Sequence, residues 1–281
     1  MDWQRARQQF STAPFDSLRD PLARLIGDAE WPGIARLNAC AAGIRNYRDQ
    51  PIRFVANEDA AAAPHYETRI AESGEIATRE NWHDFFNAMS WLSFPKAKSA
   101  ISEMHAQLLS ARGSSELRAR STPRDVLTLF DEGGIIVTSN DETLLDLIRH
   151  FEWKTLFVDR RAEVIACMRF YLFGHSMLEK ALDPYIGVTA KAILFLVNDD
   201  FVAANHAAQM RHIDQRTAAW LMEENNLSSP KNFSPLPWLG VPGWWKENES
   251  PAFYNNAQYF RSGRLGAREN AQDGHRSIRP T

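Results

Sequence analysis

The sequence predicts an α+β fold, mainly helical, in a single domain over residues 1–261. Three observations predict it. Apolar residues recur at helical spacing through most of the chain. A few short β-branched or apolar runs read as strands, enough for a small sheet of three to five. From Ser228 onward, prolines alternate with aromatics, which reads as an extended arm wrapped over the core.

Asp16 or Ser17 can cap a first helix that carries Leu18, Leu22, Leu25 and Ile26 on one stripe. Pro32 suits the first turn of a second helix with Ile34, Leu37 and Ile44. Ile52-Arg53-Phe54-Val55 reads as a strand. Tyr66, Thr68 and Ile70 alternate with charged residues before Ser73-Gly74, and Glu75 to Arg79 follows, so residues 66–79 read as a β-hairpin. Asn81 can cap a helix starting at Trp82, and Pro95 opens the next, through Ile101, Met104, His105 and Leu109. Residues 113–124 form a polar connection. Ile135-Ile136-Val137 is a strand, Asp141 caps a helix, and Met168–Phe173 is a strand closed by Gly174. A helix over His175–Leu182, a buried strand over Ala192–Val197 and a long helix over His206–Asn225 complete the series. The arm carries Pro230, Pro235, Pro237, Pro242 and Pro251 among Phe233, Trp238, Trp244, Trp245, Tyr254 and Phe260. Residues 262–281 are polar and Arg-rich and read as a disordered tail.

Composition narrows function. The 281 residues are 44% hydrophobic and 24% charged, as in ordinary globular chains, with a formal charge of −3. That charge gives no global attraction to phosphate. Cys40 and Cys167 lack CxxC spacing, which excludes a zinc ribbon and a disulfide framework. No apolar h-region follows Met1 and no apolar run could span a bilayer, so a cytoplasmic protein without membrane association is expected. Walker, GxGxxG and GxSxG signatures are missing.

The densest chemistry lies in Asn81 to Pro95. His83 and Asn87 share a helical face one turn apart, with Asp84 nearby. Imidazole, carboxylate and amide oxygen together suggest a divalent metal held by His83, Asp84 and Asn87, the one cofactor the sequence suggests. A hairpin leading into such a helix is the layout of ββα-metal nucleases, and His65 would then be a general base. The Asp-His pair expected there is missing, since Pro64 precedes His65. The plainer reading makes His83 and Asp84 buried hydrogen-bonding groups that hold loops together, and it is the commoner one for such residues. His105, among apolar neighbours, reads as a core histidine.

Asp131-Glu132-Gly133-Gly134 offers paired acids at a turn, able to bind a cation but also commonplace before strands. His175 and Glu179 are an i, i+4 pair at a strand-to-helix corner, a frequent place for chemistry and equally for local stabilisation. Between Phe94 and Arg124, six basic residues face only Glu103 and Glu116, net +4. That segment could meet a nucleic acid or another phosphate-bearing ligand, or it is a solvated loop.

Four blocks resemble a bacterial family recorded only as a domain of unknown function. They are Asn81–Pro95 with Lys98, Leu127–Gly133, Phe173–Lys180 and Leu236–Trp244. The resemblance implies one shared architecture across most of residues 66–261 and no established activity. Two functions stay open. One is a metal-dependent hydrolase of phosphodiesterase or nuclease type, with His83, Asp84, His175 and Glu179 as catalytic residues. The other is a non-catalytic binding or scaffold protein built on a buried polar network. Whether the protein is an enzyme is not fixed by sequence. In either case His83 and His175 are expected to border one pocket, with Asp84 or Asp131 close by.

Overall fold

The computed structural model describes residues 1–57, 66–110 and 122–263. Three helices open the chain: α1 (Trp3–Ala6), α2 (Arg19–Leu25) and α3 (Ile34–Cys40). Then come β1 (Arg53–Ala56), α4 (Tyr66–Ser73), β2 (Glu75–Thr78), α5 (Trp82–Ser93), α6 (Pro95–Ser110) and α7 (Thr122–Gly133). The central part continues as β3 (Gly134–Ser139), α8 (Glu142–Arg149), α9 (Arg161–Cys167), β4 (Met168–Leu172), α10 (His175–Lys180) and β5 (Ala190–Leu196). The last regular elements are α11 (Asp199–Ala203), α12 (His206–Leu221) and β6 (Ser234–Leu236). The fold is mainly helical α+β, with two small sheets.

The larger sheet has strand order β4-β3-β5-β6, with β3 and β5 parallel and both outer pairings antiparallel. Its centre is β3, buried at all six positions. Because side chains alternate across a strand, Ile135 and Val137 enter one core and Ile136 the other. Helices cover both faces: α5, α8 and α10 pack on the first core, and α6, α7 and α12 on the second. The smaller sheet is the parallel pair β1–β2.

The expected hairpin over residues 66–79 does not form. Tyr66–Ser73 is a helix, and only Glu75–Thr78 is a strand, paired with β1. The period-2 alternation that suggested a strand coexists with a helical one, since Glu67, Ile70, Ala71 and Gly74 fall at i, i+3, i+4 and i+7. Ile70 and Ala71 are the residues buried. Gly74 is a helix stop instead of a hairpin turn. It sits at φ +73° and its N–H donates to the Ile70 carbonyl at 3.0 Å, the left-handed C-terminal cap that favours glycine. The ββα-metal layout goes with the hairpin. His65, the base assigned to it, lies outside the described residues, as do residues 264–281 of the expected tail and much of the basic segment.

The C-terminal arm runs as short 3₁₀ turns across the first core. Trp238, Leu239 and Val241 are buried there, with Tyr254, Tyr259 and Phe260 behind them. Asn248 ties the turns together, donating to the Leu239 and Val241 carbonyls at 2.7 Å each. Pro235 is tolerated because β6 is an edge strand, and the later prolines because side chains and turn bonds satisfy the backbone there. Deleting residues 230–260 is expected to abolish soluble expression. Trp238→Ala alone should cost roughly 3–5 kcal/mol in urea unfolding. A truncated protein that unfolds cooperatively would contradict a structural role for the arm.

Candidate metal centre

The Asn81 side chain accepts from the Asp84 N–H at 2.8 Å and starts α5 at Trp82. Helical spacing then puts His83 and Asn87 on one face. The expected trio of His83, Asp84 and Asn87 does not close around a common point. Asp84 is occupied by Arg79, accepting from its backbone N–H and Nε at 2.8 Å each and from its Nη2 at 3.1 Å. Burial alone would raise the Asp84 carboxyl, but Arg79 outweighs it and holds the group below the usual range. Asn87 is occupied on both sides: Oδ1 accepts from Lys98 Nζ at 2.8 Å, and Nδ2 donates to the Tyr66 hydroxyl at 3.1 Å.

His83 instead meets His175. Their Nε2 atoms lie 3.1 Å apart, with ring centroids at 4.4 Å. The contact depends on Gly174. A Cβ at this residue would stand 2.4 Å from the Glu132 carbonyl oxygen and 2.5 Å from the Gly134 nitrogen. Only glycine lets α10 start hard against the junction of α7 and β3. The acids expected at a turn are the last turn of α7, which runs straight into β3. Glu132 Oε1 lies 3.5 Å from His175 Nε2, while its Oε2 accepts from Ser176 Oγ. Glu179 does not pair with His175 as its i, i+4 spacing suggested. It reaches His83 Nδ1 at 3.3 Å, and Asp131 Oδ2 stands 3.7 Å from His175 Nδ1.

His83, His175 and Glu132 therefore present three donor atoms within 4.8 Å of one another. With metal–ligand bonds of about 2.05–2.1 Å, the 3.1 Å nitrogen separation subtends about 98° at a shared ion. The 3.5 Å edge from His175 to Glu132 subtends about 115° by the same bond lengths. The two values straddle the tetrahedral angle. Each histidine turns its remaining nitrogen toward a carboxylate: Glu179 is within hydrogen-bond reach of His83, as in the outer shells of metal-bound imidazoles, and Asp131 stands beyond that reach of His175. The hydrogen bond to His175, then its charge, lowers Glu132 to about 2 against the cost of its burial. It is thus anionic across the working pH range. Zinc and similar divalent ions suit this donor set.

The three donors open on a cavity of about 550 Å³. Asp84, Asn87 and Asp131 also line it, so His83 and His175 border one cavity with both acids close. Glu179 stands behind His83. Glu67 and His105 also face the cavity. Burial, then the neighbouring Asp131, raises Glu67 to about 6, and Ser102 donates to its Oε2 at 2.8 Å. Burial also lowers His105 to about 4, leaving it a neutral imidazole, consistent with a core histidine whose edge reaches the site.

The profile of a family described as a protein of unknown function, DUF3025, matches residues 52–264, more than half the chain. The chain belongs to the DUF3025 family. No curated protein matches it, and no solved structure does. Every DUF3025 residue placed at the site falls inside the matched segment. Among the described residues, no helix is long and apolar enough to cross a membrane.

Sequence reasoning noticed Glu132 only as half of an acid pair and gave Glu67 no role. Glu67 carried a signal, an acid on the helical phase of buried Ile70 and Ala71. The false hairpin concealed it. Two outcomes are expected. Gly174→Ala should cost roughly 1–3 kcal/mol in denaturant unfolding, because the added methyl has only backbone to push against. His105 is protonated more readily unfolded than folded, so its contribution is complete above about pH 6.5 and lost as pH falls toward 4. Relative to His105→Leu, the wild type should lose about 2–3 kcal/mol between pH 7 and 4.5 in urea titrations. Parallel pH profiles for the two proteins would show that His105 is not the group responsible.

Proposed function

We propose that this protein is a metal-dependent hydrolase, with His83, His175 and Glu132 holding one divalent ion. The observation that carries the reading is that three-donor set, with a carboxylate facing each outer imidazole nitrogen, at the edge of a 550 Å³ cavity. Three protein ligands with a fourth position open to the cavity is the arrangement of catalytic, as opposed to structural, zinc. A bound ion of this kind supplies Lewis acidity and a water acidic enough to be hydroxide near neutral pH.

The chain's own residues then divide the work. Glu179 orients the His83 imidazole, and Asp131 stands beside that of His175. Ser176 takes one Glu132 oxygen and leaves the other for the ion. Glu67, raised to about 6 by burial, is the group in the cavity best matched to moving a proton near neutral pH. His83 stays a metal ligand as the sequence suggested, whereas His175 moves from base to ligand and Glu179 from catalytic group to orienting group. Asp84 becomes a positioning group that anchors the start of α5 to Arg79.

A phosphodiester is the substrate class the sequence favours. Its original support weakens at Lys98, which is 3% exposed and paired with Asp131, so it does not face a ligand as part of a basic surface. The scaffold alternative draws support from that same pair and from Asn87, which hold helices together. Against it, the His83 side chain keeps 38% of its exposure in an open cavity. A purely structural network would be expected to close over it.

Purified protein equilibrated with Zn²⁺ or Mn²⁺ should hold one ion per chain by elemental analysis after gel filtration. His83→Ala, His175→Ala and Glu132→Gln should each lose most of it, and Asp84→Asn should retain it. Wild-type protein without bound metal, or equal metal content in all four variants, would remove the reading.

A further inference from the structure

The cavity's charges are nearly all matched within the protein. Arg79 is bound to Asp84, Lys98 to Asp131, His83 to Glu179, and His175 lies between Asp131 and Glu132. Arg69 is the exception among the cations. It lines the cavity from α4, yet among the described residues no carboxylate lies within ion-pair distance of it. Its Nε is buried and has no hydrogen-bond partner there either. A guanidinium carries five N–H donors in a rigid fork, and leaving a buried donor unmet is costly.

Tyr66, one turn back on α4, adds a second open donor. The Arg69 guanidinium lies 5.8 Å from the Tyr66 ring centroid. The Tyr66 hydroxyl oxygen accepts from Asn87, which leaves its own O–H to donate, and among the described residues it meets no acceptor. A phenol and a guanidinium, both protonated at neutral pH, thus face one cavity with unused hydrogens. Two donors of this kind beside a metal position match a group with several oxygens and a negative charge. A carboxylate has only two oxygens to share among metal, guanidinium and phenol. A phosphate monoester has three terminal oxygens, one for each, whereas a phosphodiester has two, as a carboxylate does.

We infer that Arg69 and Tyr66 form an oxyanion seat in the cavity and that the substrate class is a phosphate monoester small enough for it. The chemistry rests on the metal-dependent hydrolase reading; the seat itself rests on the unmatched donors of α4.

The test is calorimetric titration of the full-length protein with inorganic phosphate and, separately, with acetate, in the presence of Zn²⁺ and again after chelation. Wild type, Arg69→Gln, Arg69→Lys and Tyr66→Phe are compared, with circular dichroism to verify folding. Phosphate affinity should fall at least tenfold in Arg69→Gln and severalfold in Tyr66→Phe. Arg69→Lys should recover part of it, and metal content should not change. Acetate should bind at least tenfold more weakly than phosphate. Undiminished phosphate binding by Arg69→Gln, or acetate bound as tightly as phosphate, overturns the seat. A wild type that holds metal but no phosphate overturns the seat and leaves the metal centre standing. Arg69-dependent phosphate binding in a protein that holds no metal overturns the hydrolase reading and leaves the seat standing.

Discussion

The candidate site hangs on one buried ion pair. Lys98 on α6 is 3% exposed and places its ammonium against Asp131 on α7. Taking both charges out of water costs several kcal/mol per ion, so attraction alone does not hold such a pair without further partners. Asn87 supplies one, accepting from the Lys98 ammonium at 2.8 Å, and the Trp91 ring lies 5.8 Å away as a second. Because Asn87 and Trp91 belong to α5, the pair fixes three helices relative to one another. Through its other oxygen Asp131 stands beside His175 Nδ1, which brings in α10. Lys98 and His175 keep Asp131 ionised despite its burial. A neutral Asp131 would loosen α7 from α6 and leave His175 without its anion.

The same pair takes one lysine out of the segment that the sequence reads as basic, part of which lies outside the described residues. Counting charges along residues 94–124 treats each lysine and arginine as solvated. Lys98 falls on the buried face of α6 with Ile101, and its charge is consumed locally. Glu103, counted there as an acid, is likewise turned inward to Arg48. Linear charge counts fail wherever a helix face is covered, and α6 is covered by α12 and α4.

Much of the fold was legible because its signals are local. Asn81 and Asp141 cap the helices they were expected to cap, and Pro95 opens α6. The apolar runs at Ile135, Met168 and Ala192 are strands of one sheet. The hairpin failed because eight residues with two compatible periods cannot be assigned by pattern alone. Gly74 suits both a hairpin turn and a helix stop, and tertiary packing on α6 decided for the helix. At the site, His83, His175 and Glu179 were readable as polar groups at strand-to-helix corners. Their partnerships were not. Asp84 and Asn87 looked like ligands because they share the His83 face, yet Arg79, Lys98 and Tyr66 reach them first. Glu132 enters only because Gly174 allows backbone contact between segments some forty residues apart in sequence. A one-dimensional reading holds no information on that approach.

The proposed metal centre has an energetic argument beside its geometric one. A network that serves only stability minimises like charges and closes over its members. Here Glu67, Asp131 and Glu132 converge on one cavity, and Asp131 pushes Glu67 upward after burial has already done so. Two imidazoles point their Nε2 atoms at each other, an arrangement in which at most one can carry a proton without setting two donors face to face. The raised Glu67 costs stability in the free protein, whereas one proton shared between the two Nε2 atoms makes an ordinary hydrogen bond. A divalent cation between His83, His175 and Glu132 would accept the two nitrogen lone pairs and offset the gathered carboxylates. Local arrangements that weaken a fold are expected where function requires them. This one is gathered at a single open cavity, around the donors that would hold the ion.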